Sequence, residues 1–374
     1  MKIAVLLSRL LVGGLFIFSG LIKANDPIGF SIKLEEYFAV FGMEWLSSGS
    51  VFLSIFICVF EIVLGVALLI GAQIKAVSWL LLLMIVFFTW LTGYSAVTGS
   101  VTDCGCFGDA IKLTPWESFY KDIILLVLIG LIFWKQKFIK PIFSKNTNSL
   151  ILTTSTALFT IFSLYCLWHL PVKDFRAYKV GANLPELMKI PDGAPMPEYL
   201  TVFTLKNKTT GELKEFENNL PGDYAQNWTY VDRTDKMISE GYKPPVKDFS
   251  ASDAQGNEYT DLLLENPAPM LWVISHNVGK ANKKSQKQIV ELAKNLESKG
   301  VMTVGLTASA EGDLNNFVKE HGIEYAFYFM DATTLKTIVR SNPGLVLVKN
   351  GVVLGKWHHN DIPSIESLEA DFLK

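Results

Sequence analysis

The sequence has 374 residues, 50% hydrophobic and 19% charged, with 25 Phe and 9 Trp. So many apolar side chains exclude a disordered or collagen-like chain. A net charge of −2 leaves no basic footprint, which excludes nucleic-acid binding. Four cysteines are too few for a disulfide scaffold.

The averages hide two unlike halves. Residues 1–170 carry 20 charged side chains and residues 171–374 carry 50. The first half reads as membrane, the second as an ordinary soluble domain. Five stretches reach the length needed to span a bilayer: roughly 3–22, 51–72, 77–98, 115–135 and 150–170. The first is too long for a signal-peptide core, contains Arg9 and lacks a cleavage pattern before Lys23, so it reads as a retained helix. Thr114-Pro115-Trp116-Glu117 offers an N-cap, a first-turn proline and the acidic partner of a capping box, so a helix is expected to start there.

Lysine placement sets an expected orientation. Lys2, Lys75, Lys135, Lys137, Lys140 and Lys145 lie on one side, and Lys23, Lys33 and Lys112 on the other. That bias predicts a multi-pass protein of the cell inner membrane with a cytoplasmic N-terminus. An odd number of spans then puts residues 171–374, and the loop at 99–114, in the periplasm, where disulfides persist.

Asp103-Cys104-Gly105-Cys106-Phe107-Gly108-Asp109 is the sharpest motif. Two cysteines flanking one glycine can close a small ring only in a tight bend, and a bond there would be strained and open to exchange. The readings are an exchange-active Cys104–Cys106 disulfide, a static brace for the loop, and, least favoured, a metal site, since zinc wants four N or S ligands. Carboxylates beside the pair oppose thiolate formation unless Lys112 or Lys121 offsets them. Cys58 and Cys166 sit in the second and fifth spans and read as packing residues, with an electron relay through Cys58 the sharper alternative. Arg9 and Glu61 are charges inside spans, hence candidate intramembrane site residues. They are expected to pair with each other, either locking the bundle or forming a substrate or proton site.

Residues 199–216 read as a β-hairpin, and 217–245 as loop with one short helix. From 270 onward, strands at 270–275, 301–306 and 325–330 alternate with helices at 282–296, 314–321 and 335–339. Leu345–Val348 and Val352–Trp357 then form a hairpin around Asn350-Gly351. Pro245-Val246-Lys247-Asp248-Phe249, Asp253-Ala254-Gln255-Gly256 and Leu271-Trp272-Val273-Ile274-Ser275 resemble the thioredoxin-like superfamily over about 245–365, with Asn342-Pro343 at that fold's cis-proline position. The family's redox Cys-x-x-Cys would follow the first central strand. Here that stretch is His276-Asn277-Val278-Gly279-Lys280-Ala281-Asn282, and residues 171–374 hold no cysteine. Without a thiolate this domain is redox-silent, which leaves a docking or binding role. His276 reads as an exposed, incidental loop residue.

Arg9-x3-Gly13-x2-Phe16-x3-Gly20-x2-Lys23, then Asp26-Pro27 and Glu61, resemble the DoxX family of four-helix membrane proteins. Cys104-Gly105-Cys106-Phe107-Gly108 is similar to its MauE branch, known from methylamine utilisation. The resemblance covers residues 1–135. It implies a bundle like that of vitamin K epoxide reductase, carries the family's Cys-x-Cys onto Cys104 and Cys106 and its Arg and Glu onto Arg9 and Glu61, and implies maturation of a disulfide-rich partner. The fusion to a thioredoxin-like domain resembles DoxX-family proteins of Bacteroidetes.

The expected fold is therefore multi-domain: a four-helix membrane bundle (1–140), a fifth membrane helix and tether (141–172), a linker with a β-hairpin (173–244) and an α/β thioredoxin-like domain lacking Cys-x-x-Cys (245–374). The expected function is thiol–disulfide chemistry on, or maturation of, an extracytoplasmic protein, which makes the chain a candidate membrane thiol–disulfide oxidoreductase. Its expected partners are the lipid bilayer and that protein. Reoxidation calls for a membrane acceptor such as a quinone. The alternative is a non-enzymatic subunit or assembly factor of an envelope complex with a purely structural loop disulfide.

Overall fold

The computed structural model of the chain describes every residue except Thr102, Cys104, Glu240, Leu373 and Lys374. Helix α1 (Lys2–Asn25) passes through the single residue Asp26 into α2 (Pro27–Val40). Asp26 caps α2 by accepting from Gly29 N at 2.8 Å, and Pro27 occupies the first turn, where its missing N–H costs nothing. A 3-10 turn, Glu44–Gly49, leads into α3 (Ser50–Ile70); then follow α4 (Ile74–Thr98), α5 (Pro115–Lys135) and α6 (Lys145–Trp168). Lys2–Asn25, Glu44–Ile70, Ile74–Thr98 and Lys145–Trp168 are long and apolar enough to cross a membrane. Helix α5 is shorter, at 21 residues, and Glu117, Lys121 and Asp122 charge its N-terminal part. Its start carries the expected capping box between Thr114 and Glu117.

Small residues bring α1 and α3 together. A Cβ on Gly13 would lie 2.6 Å from Leu69, and one on Gly65 would lie 2.7 Å from the Gly13 carbonyl oxygen. Close backbone approach of this kind is how helices pack where lipid supplies no hydrophobic drive. Val12, Phe16, Leu64, Leu68, Leu81, Ile85, Leu125, Ile129 and Ile132 fill the space between α1, α3, α4 and α5.

The chain divides into two compact units, Met1–Gly181 with Ser250–Lys374, and Ala182–Phe249. The second unit contains α7 (Leu184–Met188), β1 (Glu198–Asn207), β2 (Leu213–Glu217), α8 (Tyr224–Asn227) and β3 (Trp228–Ser239). The hairpin β1–β2 is as expected, but 228–239 is a strand rather than loop and pairs with β1 along its length. Nearly every residue of β3 is exposed, so no inside–outside alternation marked it in the sequence.

The remaining elements are α9 (Thr260–Leu264), β4 (Met270–Ile274), α10 (Gln286–Glu297), β5 (Met302–Thr307), α11 (Glu311–His321), β6 (Phe327–Phe329), α12 (Ala332–Ile338), β7 (Gly344–Lys349), β8 (Val352–His358) and α13 (Ile365–Phe372). They form a mixed sheet of order β6-β5-β4-β7-β8, with β4, β5 and β6 parallel and β7 and β8 antiparallel. All five residues of β4 are buried, as a central strand covered on both faces requires. The β7–β8 turn has positive φ at both Asn350 and Gly351, the geometry of a tight hairpin. Asn342-Pro343 is cis. The protein is a helical membrane bundle followed by a thioredoxin-like α/β domain.

Candidate functional site

Arg9 and Glu61 do not pair. Arg9 Nε donates to Leu68 O at 2.8 Å and its Nη2 to Leu69 O at 2.6 Å, so the guanidinium caps the C-terminal carbonyls of α3. The Gly13–Gly65 contact sets the reason. In antiparallel helices that register puts residue 9 level with 69, and Glu61 is then eight residues away, about 12 Å along the axis.

Glu61 is instead met by Lys23, which reaches back from the end of α1. Lys23 Nζ lies 2.5 Å from Glu61 Oε1, and each residue is 3% exposed. The ammonium also lies over the rings of Phe30, at 5.0 Å, and Phe88, at 5.7 Å. Ion pair and aromatic faces together offset the cost of burying the charge.

The cysteine loop rests on this pair. Ser19 Oγ, one helical turn before Lys23, lies 3.1 Å from Glu61 Oε2 and 2.9 Å from the carbonyl oxygen of Cys106. Gly105 takes the positive φ that the motif predicts, and its N–H donates to Asp103 Oδ1 at 3.0 Å. The expected Cys104–Cys106 disulfide falls on Cys104, which lies outside the described residues. Cys106 itself is half-buried and lines a cavity of about 50 Å³ with Ser19, Lys23, Glu61, Phe107 and Asp122. That is room for on the order of three waters. An apolar ring needs on the order of 150 Å³, so a quinone head does not fit.

Lys121, one of the two cations expected to serve the loop, pairs with Asp122 at 3.0 Å and lies 5.0 Å over the Phe107 ring. Asp122 also accepts from Thr92 at 3.0 Å. Lys112, the other, is exposed. Cys58 is fully buried among Ala24, Phe30 and Ile62, a packing position. Cys166 is buried in α6.

The loop's far end meets the thioredoxin-like domain. Arg340, two residues before the cis proline's own partner Asn342, donates from Nε to Asp26 Oδ2 at 2.9 Å, and its Nη2 lies 3.4 Å from Asp109 Oδ2. Burial works against both ions, but Arg340 holds the Asp26 carboxyl below the usual carboxylate range, and Asp26 and Asp109 raise the guanidinium's own value. The segment after α6 pins the same domain. Asp174 accepts from Arg176 Nε at 2.8 Å and from Lys356 Nζ at 2.7 Å, while Asn25 exchanges hydrogen bonds with Lys173 at 2.7 and 3.0 Å. The C-terminal ends of α1 and α6, the cysteine loop and the α/β domain therefore share one side of the bundle.

The stretch replacing Cys-x-x-Cys is tied to the cis-proline loop: Asn342 Nδ2 donates to Asn277 O at 2.7 Å, and Asn282 N to Asn342 O at 2.9 Å. His276 is half-buried rather than exposed, and burial with Lys336 and Lys280 nearby pushes it down to about 4. Its ring is held neutral beside a closed loop that carries no thiol.

Residues 1–135 match the family of methylamine utilisation protein MauE. The membrane half of the chain is thus similar to MauE, and a C-terminal domain follows it. Residues 199–240, in the three-stranded sheet, match a family described as a domain of unknown function. Protein TlpB of Flavobacterium psychrophilum is 26% identical over 206 residues, which is 53% of this chain and 54% of that relative. The chain thus spans about half the length of the curated relative it matches. Sequence reasoning missed Lys23, Ser19 and Arg340. Lys23 was visible as the last residue of the Arg9–Lys23 motif; Arg340 carried no local signal.

Proposed function

We propose that this MauE-like protein exchanges thiols and disulfides with an extracytoplasmic protein through Cys104 and Cys106. The reading places it in the cell inner membrane with a cytoplasmic N-terminus and the α/β domain in the periplasm. Its domain division is a bundle at 1–140, a tether at 141–172, a linker with strands at 173–244 and the thioredoxin-like domain from 245. The observation that carries the reading is that one short loop joins both halves of the chain. Cys106 rests through Ser19 on a buried ion pair, and Asp109 meets Arg340 beside the cis proline. A static brace would not need a charged intramembrane support beneath it and a docked domain above it. The domain acts as a redox-silent dock that orders the loop and the approach to it. Exchange is balanced within the pair: a partner dithiol becomes a disulfide as Cys104 and Cys106 become thiols. Regeneration needs a two-electron acceptor that binds elsewhere than the water-sized cavity.

Thiol trapping in cells, with Cys106→Ser and Cys104→Ser variants, tests the reading. Mixed disulfides with an envelope protein are expected. A pair that stays oxidised and traps nothing would sink it. The second reading, an assembly subunit without turnover, is favoured by the absence of cysteine from residues 171–374. It predicts that the double Ser variant keeps full function.

A further inference from the structure

Ser19 has one hydroxyl proton and faces two acceptors, Glu61 Oε2 at 3.1 Å and Cys106 O at 2.9 Å. It can serve both fully only when Glu61 carries a proton and donates it to Ser19 Oγ, freeing the hydroxyl to donate to Cys106. With Glu61 ionised, the same proton is contested. The anchorage of the cysteine loop is thereby tied to the protonation of an intramembrane carboxylate.

We propose that Glu61, held by Lys23 and coupled through Ser19 and the cavity they share with Cys106, stores the proton that the Cys106 sulfur takes up and releases during exchange. The inference rests on the thiol–disulfide reading and adds a positioning and proton-handling role to residues with no thiol of their own. A thiolate leaving group in an apolar rim is costly, and a nearby proton removes that cost. The balance is local. A partner thiolate attacks the Cys104–Cys106 bond at Cys104, the electron pair goes to Cys106 sulfur, and that sulfur takes the Glu61 proton. The partner's second thiol then displaces Cys104 and closes the partner disulfide, and its proton goes to the Cys104 sulfur. Both cysteines are left as thiols and Glu61 ionised until a two-electron acceptor reoxidises the pair and one of the released protons returns to Glu61.

The groups that line the cavity with Glu61 come from α1, α2, α4, α5 and the loop, while α6 packs on α3 through Phe159 and Phe162 beside Cys58 and Ile62. Lys23 and Ser19 lie on α1, and Lys121 and Asp122 on α5, the latter held by Thr92 of α4. Cys106 lies on the loop. Cys58 lies one turn away on α3 itself. Helix α2 contributes only Phe30, and α4 contributes Ile85 and Phe88. Lys121 pairs with Asp122 at 3.0 Å, and Ser19 links the Lys23–Glu61 pair to the loop.

The experiment measures the rate of Cys106 alkylation by iodoacetamide against pH, in membranes carrying the full chain with Cys104→Ser. A two-step profile is expected, because two coupled groups titrate together. Glu61→Gln should collapse it to one step with a midpoint at least one pH unit lower, since Lys23 is then an uncompensated cation near the sulfur. Glu61→Asp should restore two steps. Should Glu61→Gln fail to accumulate, Ser19→Ala tests the same link and is expected to give one step. A single-step profile in the parent, or a profile unchanged in Glu61→Gln or Ser19→Ala, overturns the proposal. Because no partner protein enters this assay, its failure leaves the thiol-trapping result standing, and a failed trap leaves the profile readable.

Discussion

Arg340 Nε lies 2.9 Å from Asp26 Oδ2, joining residues 314 positions apart. One carboxylate thus caps α2 and anchors the α/β domain on the bundle. The arrangement tolerates little change nearby, since a Cβ on Gly29 would lie 2.3 Å from Asp26 Oδ2 and 2.8 Å from Arg340 Nη2.

Arg340→Ala leaves the half-buried Asp26 carboxylate without its cation, a change that costs on the order of 3 kcal/mol. Hydrogen exchange should rise both in 103–109 and in 336–343, while β4 and β5 keep their protection. A charge swap, Arg340→Asp with Asp26→Arg, should recover part of it. Unchanged exchange in both segments would make the contact incidental.

Lys23 and Glu61 should be coupled, and Arg9 and Glu61 should not. In double-mutant cycles on detergent-solubilised protein, Lys23→Met and Glu61→Gln should fall short of additivity by about 1–3 kcal/mol, as contacting residues do. Arg9→Met and Glu61→Gln should add within about 0.5 kcal/mol. Additivity for the first pair would overturn the ion pair.

Glycine positions separate close packing from free surface. Gly65→Val should destabilise the bundle by about 1–3 kcal/mol through overpacking against Gly13 O and Ile17. Gly14→Ala meets nothing within 4 Å and should leave stability equal or slightly higher. Thermal unfolding of both variants checks the contrast.

Acid should loosen the α/β domain through His358. Burial, with His359 and His169 nearby, pushes this histidine down to about 3. Its ordinary value is about 6.5, so between the two the unfolded chain binds the proton and the folded one does not. Stability is therefore fully present above about pH 6.5 and is lost as pH falls toward 3. His358→Phe removes the acceptor used by Asn360 N at 3.2 Å, costing about 1 kcal/mol at every pH. It should flatten part of the acid slope; His359 and His276, also held below their usual values by burial, maintain the rest. A slope as steep as the parent's would refute the assignment.

Features governed by neighbours along the chain are legible in the amino-acid sequence. The membrane helices follow from apolar runs, the start of α5 from Thr114-Pro115-Trp116-Glu117, and the β7–β8 hairpin from Asn350-Gly351, because each depends on interactions within a few residues. The order of strands and helices after residue 270 is legible for the same reason. Strand β3 is not, because a strand exposed on both faces leaves no alternation to read.

The site lies beyond that reach. Composition and motif alone determine where the thiols lie: the cysteines all belong to the membrane half, and the thioredoxin-like half has none. Which charges meet is decided by the tertiary register. Gly13 against Gly65 slides Arg9 to the α3 carbonyls and leaves Glu61 to Lys23, a shift of two helical turns that spacing within either helix cannot reveal. Arg340 reaching Asp26 and Asp109 is decided there too, since the partners of a long-range ion pair are set by how two domains dock and not by the residues on either side.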